Sequence, residues 1–531
     1  MARSAAALTV GVAIFLSKVA GLIRERVFAH YLGNTPAAGA FKAALRIPNL
    51  LQNLFGEGVL SASFIPEYAR LNERDPEAAG RLAGVIGSLL LVVTSLLVAV
   101  GVTLAGPLTG LVAPGYKDDI EVYALTVSLV RIMFGGIGML VLAAWCLSVL
   151  NSHRKFFLSY VTPVLWNAVQ IAALVWFGRR LVAGPEGRAA LAVEVAWATV
   201  VGAAVQLLVQ LPAALRLVRG LRPSLRVPSG SPARRVVANF GPVVVGRGVV
   251  QLSAYLDQVL ASYLGAPMVA AMAYAQQLYL LPISLFGMAI SASELPEMAR
   301  ELAGESGAIS AAAQGRLRQR VSDGASRLVF FVVPSVVAFL ALGDVVVALL
   351  FQSGKFGADD TVTVWRILAG STVGLVAATT GRLLSSCFYA LGDTKTPLRL
   401  AIIRVTLTGV GGWALAFPLP HALRLGPSWG AAGLTAAAGL AGWLEFYLLR
   451  RALTRRIGPF PVGGRASLRA WAAALPAGGA AFALHHYVHL RSPIFDGLMV
   501  LSLYGALYGA MALLLGVPEA RGIVRRMLRR R

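Results

Sequence analysis

The chain has 531 residues, of which 57% are hydrophobic and only 14% are charged, and its formal net charge is +24. Soluble domains carry charge on about 25% of their residues, so this composition excludes an ordinary soluble protein and predicts a membrane protein. The apolar runs are continuous rather than alternating, which favours transmembrane helices over a β-barrel.

Apolar runs long enough to cross about 30 Å of hydrocarbon recur along nearly the whole sequence. We predict an all-α polytopic membrane protein with about fourteen transmembrane helices, and twelve or thirteen is the alternative count. The predicted helices span residues 8–31, 38–66, 82–108, 121–151, 156–178, 190–217, 235–264, 268–298, 322–352, 360–391, 397–418, 428–453, 467–488 and 495–516. The least regular are 38–66, which polar residues interrupt, and 268–298, which contains Pro282.

The first predicted helix contains a cluster of polar and charged side chains, Ser17, Lys18, Arg24, Glu25 and Arg26. A charge near the middle of a bilayer costs roughly 2.5–3.5 kcal/mol on insertion scales, so it persists mainly where it lines a cavity or meets a partner. Repeated cations at this depth favour an anionic cargo or an ion pathway. We therefore predict a substrate site here, with Arg24 at its centre and Lys18 as a supporting cation.

A polar stripe continues along the second predicted helix. Its members, spaced 4, 3, 4 and 4 residues apart, are Lys42, Arg46, Asn49, Asn53 and Glu57. This spacing places all of them on one helical face, so we predict that the stripe lines the same site and that its acid organises the cations. The alternative is structural, with Arg24 or Arg46 pairing with Glu25 or Glu57 to hold the helices together.

The seventh predicted helix is polar rather than cationic. It carries Arg247, Gln251 and Gln258 on one face and Asp257 beside them. Because Asp257 is an acid in an apolar segment, we predict that it binds a coupling cation, Na⁺ or H⁺, with a salt bridge to an arginine as the alternative. Gln277 on the eighth helix is predicted to join the substrate site. No other cofactor is expected.

Two segments of the chain are near copies of each other. Residues 61–70 read SASFIPEYAR and residues 291–300 read SASELPEMAR, with seven of ten positions identical. We infer an internal duplication with six helices in each repeat, an even number that gives both repeats the same orientation. The predicted domains are an N-terminal lobe at 1–225, a C-terminal lobe at 226–460 related to it by a pseudo-twofold axis, and appended helices with a basic tail at 461–531.

Arginines crowd three loop or tail regions, 216–235, 450–465 and 521–531. Positive residues accumulate on the cytoplasmic side of membrane proteins, so both termini are predicted to be cytoplasmic. Arg179, Arg180 and Arg188, in a predicted outer loop, run against this pattern. Since membrane insertion explains the basic loops, we expect no nucleic-acid partner. We expect a monomer.

Several segments resemble one family of bacterial transporters. They are SKVAGLIRE at 17–25, IPNLL at 47–51, FGEG at 55–58, GKF at 354–356 and FYALGDTKTP at 388–397. They are similar to the pattern of the MurJ (MviN) lipid II flippases, in the multidrug/oligosaccharidyl-lipid/polysaccharide exporter superfamily. The resemblance implies a non-enzymatic carrier that moves undecaprenyl-pyrophosphate-linked peptidoglycan precursor from the inner to the outer leaflet of the bacterial cytoplasmic membrane by alternating access. It implies lipid II and membrane lipids as partners.

The chain departs from the family's pattern at three positions. The family often has an acidic residue where Gly39 stands, and arginines where Gln52 and Gln277 stand. Arg24 is kept. Neighbouring cations are expected to replace the charge of the missing arginines, or else the substrate or its binding geometry differs. The alternative functions are a related polysaccharide-precursor flippase or a cation-coupled multidrug exporter, followed by a membrane-embedded glycosyltransferase or polymerase acting on the same lipid.

Overall fold

The computed structural model describes residues 2–181, 184–302, 310–488, 490 and 492–528, and within them all side chains except those at 2–11, 14, 57, 242–243, 245–254, 523–524 and 526–528. The chain divides into two compact units. The first comprises Met1–Ala270 with Gly354–Phe356, and the second comprises Ala271–Ser353 with Gly357–Arg531. The lobe boundaries at 225 and 460, which rest on the sequence repeat, stay predictions.

The first unit is built from long helices and a few short ones. They are α1 (Ala2–Leu32), α2 (Pro36–Phe55), α3 (Glu57–Arg74), α4 (Pro76–Thr103), α5 (Ala105–Val112), α6 (Ile120–Ser152), α7 (Phe156–Leu181), α8 (Gly184–Leu217), α9 (Pro232–Ser262) and the start of α10 (Ala266–Pro282). A 3₁₀ helix, Pro114–Asp118, lies between α5 and α6.

The helix α6 forms the centre of this unit. It is apolar around its whole circumference, as expected for a helix buried by neighbours, and it packs against α2, α3, α4 and α8. The helix α1 packs against α7, and α9 packs against α2 and α3. This packing gathers α1, α2 and α9, which carry most of the predicted polar residues, into one unit.

The second unit contains the remainder of α10 and the helices that follow. They are α11 (Ala289–Glu301), α12 (Ala311–Ala341), α13 (Gly343–Phe351), α14 (Ala358–Thr372), α15 (Leu375–Ala390), α16 (Lys395–Ala416), α17 (Pro418–Ala422), α18 (Pro427–Ile457), α19 (Gly464–Tyr487), α20 (Pro493–Leu514) and α21 (Pro518–Leu528). A π-helical segment, Ile283–Met288, joins α10 to α11.

The all-α membrane fold is confirmed, but several predicted helices are interrupted. Residues 38–66 form α2 and α3 with a break at Gly56, and residues 360–391 form α14 and α15, bent by 41°. Hydropathy does not reveal such breaks, because one residue can interrupt backbone bonding within an apolar run. Of the helices in the described ranges, nine are long and apolar enough to cross a membrane, or ten with the bent pair. The count of fourteen stays a prediction.

The predicted appended helices, α19 and α20, pack against each other, and α19 packs against α12. Pro334 in α12 has no N–H, so the carbonyl of Phe330 lacks its usual helical donor. The Tyr508 hydroxyl of α20 donates to that oxygen at 2.6 Å, and the Tyr504 hydroxyl donates to the Pro334 carbonyl at 2.8 Å. The backbone carbonyl oxygens of Phe330 and Pro334 in α12 thus accept hydrogen bonds that hold α20 against this helix.

The two repeated decapeptides form the same local structure. Arg70 donates to Glu67 at 2.6 Å on α3, and Arg300 donates to Glu297 at 2.6 Å on α11. In each pair the residues are three apart, a spacing that places both side chains on one helical face. The shared geometry supports the internal duplication.

Asp393 caps the first turn of α16. Its Oδ1 accepts from the backbone N–H groups of Lys395 and Thr396, while its Oδ2 accepts from the Thr396 hydroxyl at 2.6 Å and from Arg456 at 2.5 Å. The hydrogen bonds from Thr396, reinforced by the Arg456 charge, hold the pKa of Asp393 below its usual range. The carboxylate therefore stabilises the fold above its unfolded pKa of about 4, and this contribution is lost as the pH falls through the lower folded value.

We expect Asp393→Ala to cost about 1 kcal/mol of stability at neutral pH, as loss of a helix cap does. Thermal unfolding of the detergent-solubilised protein between pH 7 and pH 3 measures the effect. The difference from wild type should shrink as the pH falls below about 4, because the carboxylate is then protonated in the unfolded chain, and it should vanish as the pH falls through the lower folded pKa. Asp359→Ala, at an exposed position in the first turn of α14, is the matched control and should change little. A difference that is constant with pH would contradict the assignment.

Candidate functional site

The buried carboxylate of Glu25 holds two cations, Arg24 beside it on α1 and Lys42 on α2. Arg24 Nη2 donates to Glu25 Oε1 at 2.6 Å, and Lys42 Nζ donates to Glu25 Oε2 at 2.5 Å. Glu25 is only 6% exposed, so its charge is removed from water and must be balanced by these partners. We call these residues the Arg24–Glu25–Lys42 triad.

Aromatic rings support both cations of the triad. The guanidinium carbon of Arg24 lies 5.0 Å from the ring centre of Trp166 on α7, and Lys42 Nζ lies 4.2 Å from that of Phe28. A cation over an aromatic face gains about 0.5–2 kcal/mol. Trp166 is in turn held by α8, since its indole N–H donates to the carbonyl oxygen of Thr199 at 3.2 Å. Arg24 is thus positioned by a carboxylate and by an indole ring.

Arg24 keeps most of its hydrogen-bonding capacity for another partner. A guanidinium has five N–H donors, and within the described residues Arg24 donates only to Glu25. Its side chain remains 16% exposed. Phosphate and carboxylate groups bind such a fork through paired, charge-assisted hydrogen bonds. The arrangement is therefore suited to binding an anion.

Arg46, the next cation of the α2 stripe, contacts α9. Its Nε donates to Gln258 Oε1 at 3.1 Å, and the Tyr255 hydroxyl donates to the Arg46 carbonyl oxygen at 2.8 Å. Asp257 interacts electrostatically with Arg46. The salt-bridge alternative predicted for Asp257 thus has an arginine within the same unit, and Gln258 of α9 meets the cationic stripe of α2.

The other predicted residues of α1 and α2 are more accessible. Lys18, Asn49 and Asn53 are exposed, while Ser17 and Arg26 are half-buried. In the structure as described, Lys18 makes no ion pair with the triad. These residues extend the polar surface of α1 and α2 beyond the triad.

For four further predicted site residues, a place in the site stays a prediction. The side chains of Glu57, Arg247 and Gln251 lie outside the described residues. Glu57 begins α3 after the break at Gly56 and so lies outside α2; that its side chain continues the polar stripe stays a prediction. Gln277 is half-buried on α10 and belongs to the second unit; its role in the substrate site stays a prediction.

Gly39 on α2 lies against the first residue of α10. A Cβ atom at this position would overlap the backbone carbonyl of Ala266. Backbone cannot move aside as a flexible side chain can, so an acidic side chain would not fit here. The departure from the resembled family's pattern at Gly39 therefore follows from close helix packing.

The structure also contains site residues that the sequence did not indicate. Trp166, Phe28 and Tyr255 are aromatic residues in apolar segments, and nothing in such a segment reveals which charge the ring contacts. Gln258 could be found, because it shares a polar face with other predicted residues of its helix. The Arg24–Glu25 ion pair agrees with the structural alternative, but the cations of the cluster outnumber its carboxylates.

No group of three or more His, Cys, Asp and Glu side chains in the described ranges is arranged to hold a metal ion. A monovalent coupling cation needs no such group, because carbonyl and hydroxyl oxygens also serve as ligands. Cation binding at Asp257 stays a prediction.

Comparison with known sequences gives a consistent result. The family model described as "Lipid II flippase MurJ" matches residues 28–495. A probable lipid II flippase MurJ from Rhizobium tropici is 31% identical over 547 residues, covering 99% of this chain and 96% of the relative. The lipid II flippase MurJ of Burkholderia cenocepacia is 32% identical over 459 residues, covering 85% of this chain and 84% of the relative.

Solved structures show the same fold. A structure of lipid II flippase MurJ in an inward closed conformation has a TM-score of 0.76 at 20% identity, covering 97% of this chain and 100% of that one. An inward-facing multidrug resistance MATE family transporter of the MOP superfamily has a TM-score of 0.63 at 18% identity, covering 85% and 98%. At these identities the likeness concerns the fold.

Proposed function

This chain belongs to the lipid II flippase MurJ family, and from that premise we propose that it carries lipid II across the bacterial cytoplasmic membrane, with Arg24 binding the pyrophosphate. The observation that supports this role is the buried Arg24–Glu25–Lys42 triad, in which Arg24 is held in place while most of its donors remain available. Arg46 and Lys18 supply further positive charge near the substrate.

A diphosphate with a sugar–peptide head cannot cross hydrocarbon unaided, because its charges would lose their hydration. A protein must replace that hydration with fixed polar groups. Arginine serves this best, since its planar fork forms two parallel bonds to phosphate oxygens. Glu25 holds the fork in place before the substrate arrives, which lowers the ordering cost of binding.

We further propose that the protein acts as a monomeric carrier without covalent chemistry, with both termini in the cytoplasm. The arginine-rich loops at 216–235 and 450–465 support this orientation. Asp257, beside Arg46, is proposed to bind Na⁺ or H⁺ and so to couple the ion to transport. Lipid II and the surrounding membrane lipids are the proposed partners, and no nucleic acid is involved.

The MATE likeness raises one competing function, the export of cationic drugs. Positive charges repel such drugs, so an exporter of this kind would place acidic or apolar side chains where this chain has Arg24, Lys42 and Arg46. The charge of the cluster therefore favours an anionic lipid as cargo.

Reconstitution in vesicles tests the proposal. Purified protein with fluorescently labelled lipid II should exchange the intact lipid between leaflets faster than protein-free vesicles do. Runs with and without a sodium gradient and a membrane potential test the coupling. Exchange no faster than in protein-free vesicles would contradict the carrier function, and recovery of polymer instead of intact lipid would favour an enzyme.

Trp166 offers a separate prediction, because its proposed role is to position Arg24. We expect Trp166→Leu to weaken lipid II binding roughly threefold to tenfold, the value of one cation–π contact. Trp166→Phe keeps an aromatic face and should retain most of the affinity. Binding affinity and thermal stability are measured together, so equal loss of affinity in both variants, or loss explained by unfolding, would contradict the positioning role.

A further inference from the structure

The first unit also contains a cavity lined by residues other than those of the triad. An open cavity of about 510 Å³ forms where the end of α6, the start of α7 and the end of α8 meet. Its apolar wall comprises Leu150, Phe156, Phe157, Leu158, Ala213 and Leu217. A cavity of this size and lining can take part of an acyl chain.

Three cations complete the lining of this cavity, Arg154, Lys155 and Arg216. All three are exposed. Across the described residues, none of them makes an ion pair with a carboxylate. The lining thus combines an apolar wall with a local charge of +3, which is the complement of a lipid that carries an anionic headgroup.

The backbone conformation of Arg154 gives an independent indication that this side chain has a function. Its φ is +59°, in the left-handed region that residues with a Cβ rarely adopt. It is the second residue after α6, where Lys155 N–H donates to the Leu150 carbonyl across the helix end at 2.9 Å. Glycine is the usual residue in this helix-ending motif.

The second repeat contains the same motif with the usual residue. There Asp393 N–H donates to the Phe388 carbonyl at 2.9 Å, and the left-handed position is Gly392, with φ +73°. The helix end in the first unit thus has an arginine at the left-handed position where the same motif of the second unit has glycine. Strain of this kind is retained mainly where a side chain has a function.

The membrane environment supplies the matching ligand. The loop after α6 and the last turn of α8 line this cavity. They follow the fourth and sixth predicted spans, so with cytoplasmic termini both are predicted to lie on the cytoplasmic side. That leaflet of the membrane carries the anionic lipids that attract basic residues at the surface. Phe157, 52% exposed beside the cations, suits the boundary between headgroups and acyl chains.

We propose that this cavity binds a phospholipid with an anionic headgroup from the cytoplasmic leaflet. Arg154, Lys155 and Arg216 hold the phosphate, and one acyl chain follows the apolar wall. The site shares no lining residue with the Arg24–Glu25–Lys42 triad.

The test is native mass spectrometry of the purified protein titrated with phosphatidylglycerol or phosphatidylcholine. We expect preferential binding of phosphatidylglycerol, and we expect Arg154→Gln/Lys155→Gln/Arg216→Gln to lower that affinity roughly tenfold or more, as loss of charge-assisted bonds does. The matched control is Arg219→Gln/Arg222→Gln/Arg226→Gln, which removes the same charge from neighbouring positions that do not line the cavity. Equal loss in both triple variants would overturn the site in favour of diffuse surface attraction.

Arg154→Gly keeps the proposal testable if the triple variant folds poorly. Glycine relieves the left-handed backbone, so the variant should unfold at a higher temperature in neutral lipid while binding phosphatidylglycerol more weakly. A purely structural Arg154 would not give that opposite pair of effects. Unchanged phosphatidylglycerol affinity would overturn the proposal, and so would loss of lipid II binding without loss of phosphatidylglycerol binding, since the cavity would then hold the substrate.

Discussion

Arg24→Ala should abolish growth of bacteria that depend on this protein as their only lipid II flippase, while the variant remains folded in the membrane. The substitution removes the guanidinium proposed to bind the pyrophosphate. Hydrogen bonds to charged groups contribute about 1.5–3 kcal/mol each. The loss of two such bonds should therefore weaken lipid II binding by roughly 100-fold or more. Complementation of a flippase-depleted strain measures the effect, with immunoblots of the membrane fraction as the control for abundance.

Two matched variants sharpen this experiment. Arg24→Lys keeps the charge but loses the planar fork, so it should support intermediate transport. Arg81→Ala, at an exposed position on α4 outside the predicted site, also removes one cation and should transport nearly as wild type. Full growth with Arg24→Ala would remove this residue from the mechanism.

Glu25→Gln is expected to have the largest effect on stability. Glu25 lies between Arg24 and Lys42, so its neutralisation leaves two cations together in a site shielded from water. Removing one partner from a buried ionic group typically costs about 3–5 kcal/mol. The midpoint of thermal unfolding in detergent should fall markedly, and transport should fall with it.

The double variant Glu25→Gln/Lys42→Met separates stability from function. Methionine fills a volume similar to that of lysine and removes the repulsion between the cations, so much of the lost stability should return. Transport should stay impaired, because Arg24 is no longer held by a carboxylate. An unfolding midpoint of Glu25→Gln equal to that of wild type would show that the triad does not stabilise the fold.

The structure explains one of the chain's departures from the family's pattern but not the others. At Gly39 the close approach of Ala266 excludes the acid that the family often carries. At Gln52 the structure gives no comparable reason. Lys42 and Arg46 lie on the same helix as Gln52 and place positive charge along it. That they supply the missing charge stays a prediction.

Membrane class, helical fold and the place of the cationic cluster were all predictable from the sequence alone. Hydropathy indicates them because a helix that crosses a bilayer must be apolar over about 20 residues. A charge within such an apolar run is costly and is therefore easily recognised. The two decapeptides that indicate an internal duplication are also visible in the sequence, and in the structure both keep the same ion pair.

Only the tertiary structure decided which groups meet. Glu25 pairs with its neighbour and with Lys42, seventeen residues later, and Arg46 reaches Gln258, more than two hundred residues later. The break at Gly56 and the indole of Trp166 were likewise invisible in a hydropathy pattern. The physical reason is that helical periodicity specifies the direction of a side chain on its own helix, whereas its partner depends on how separate helices pack.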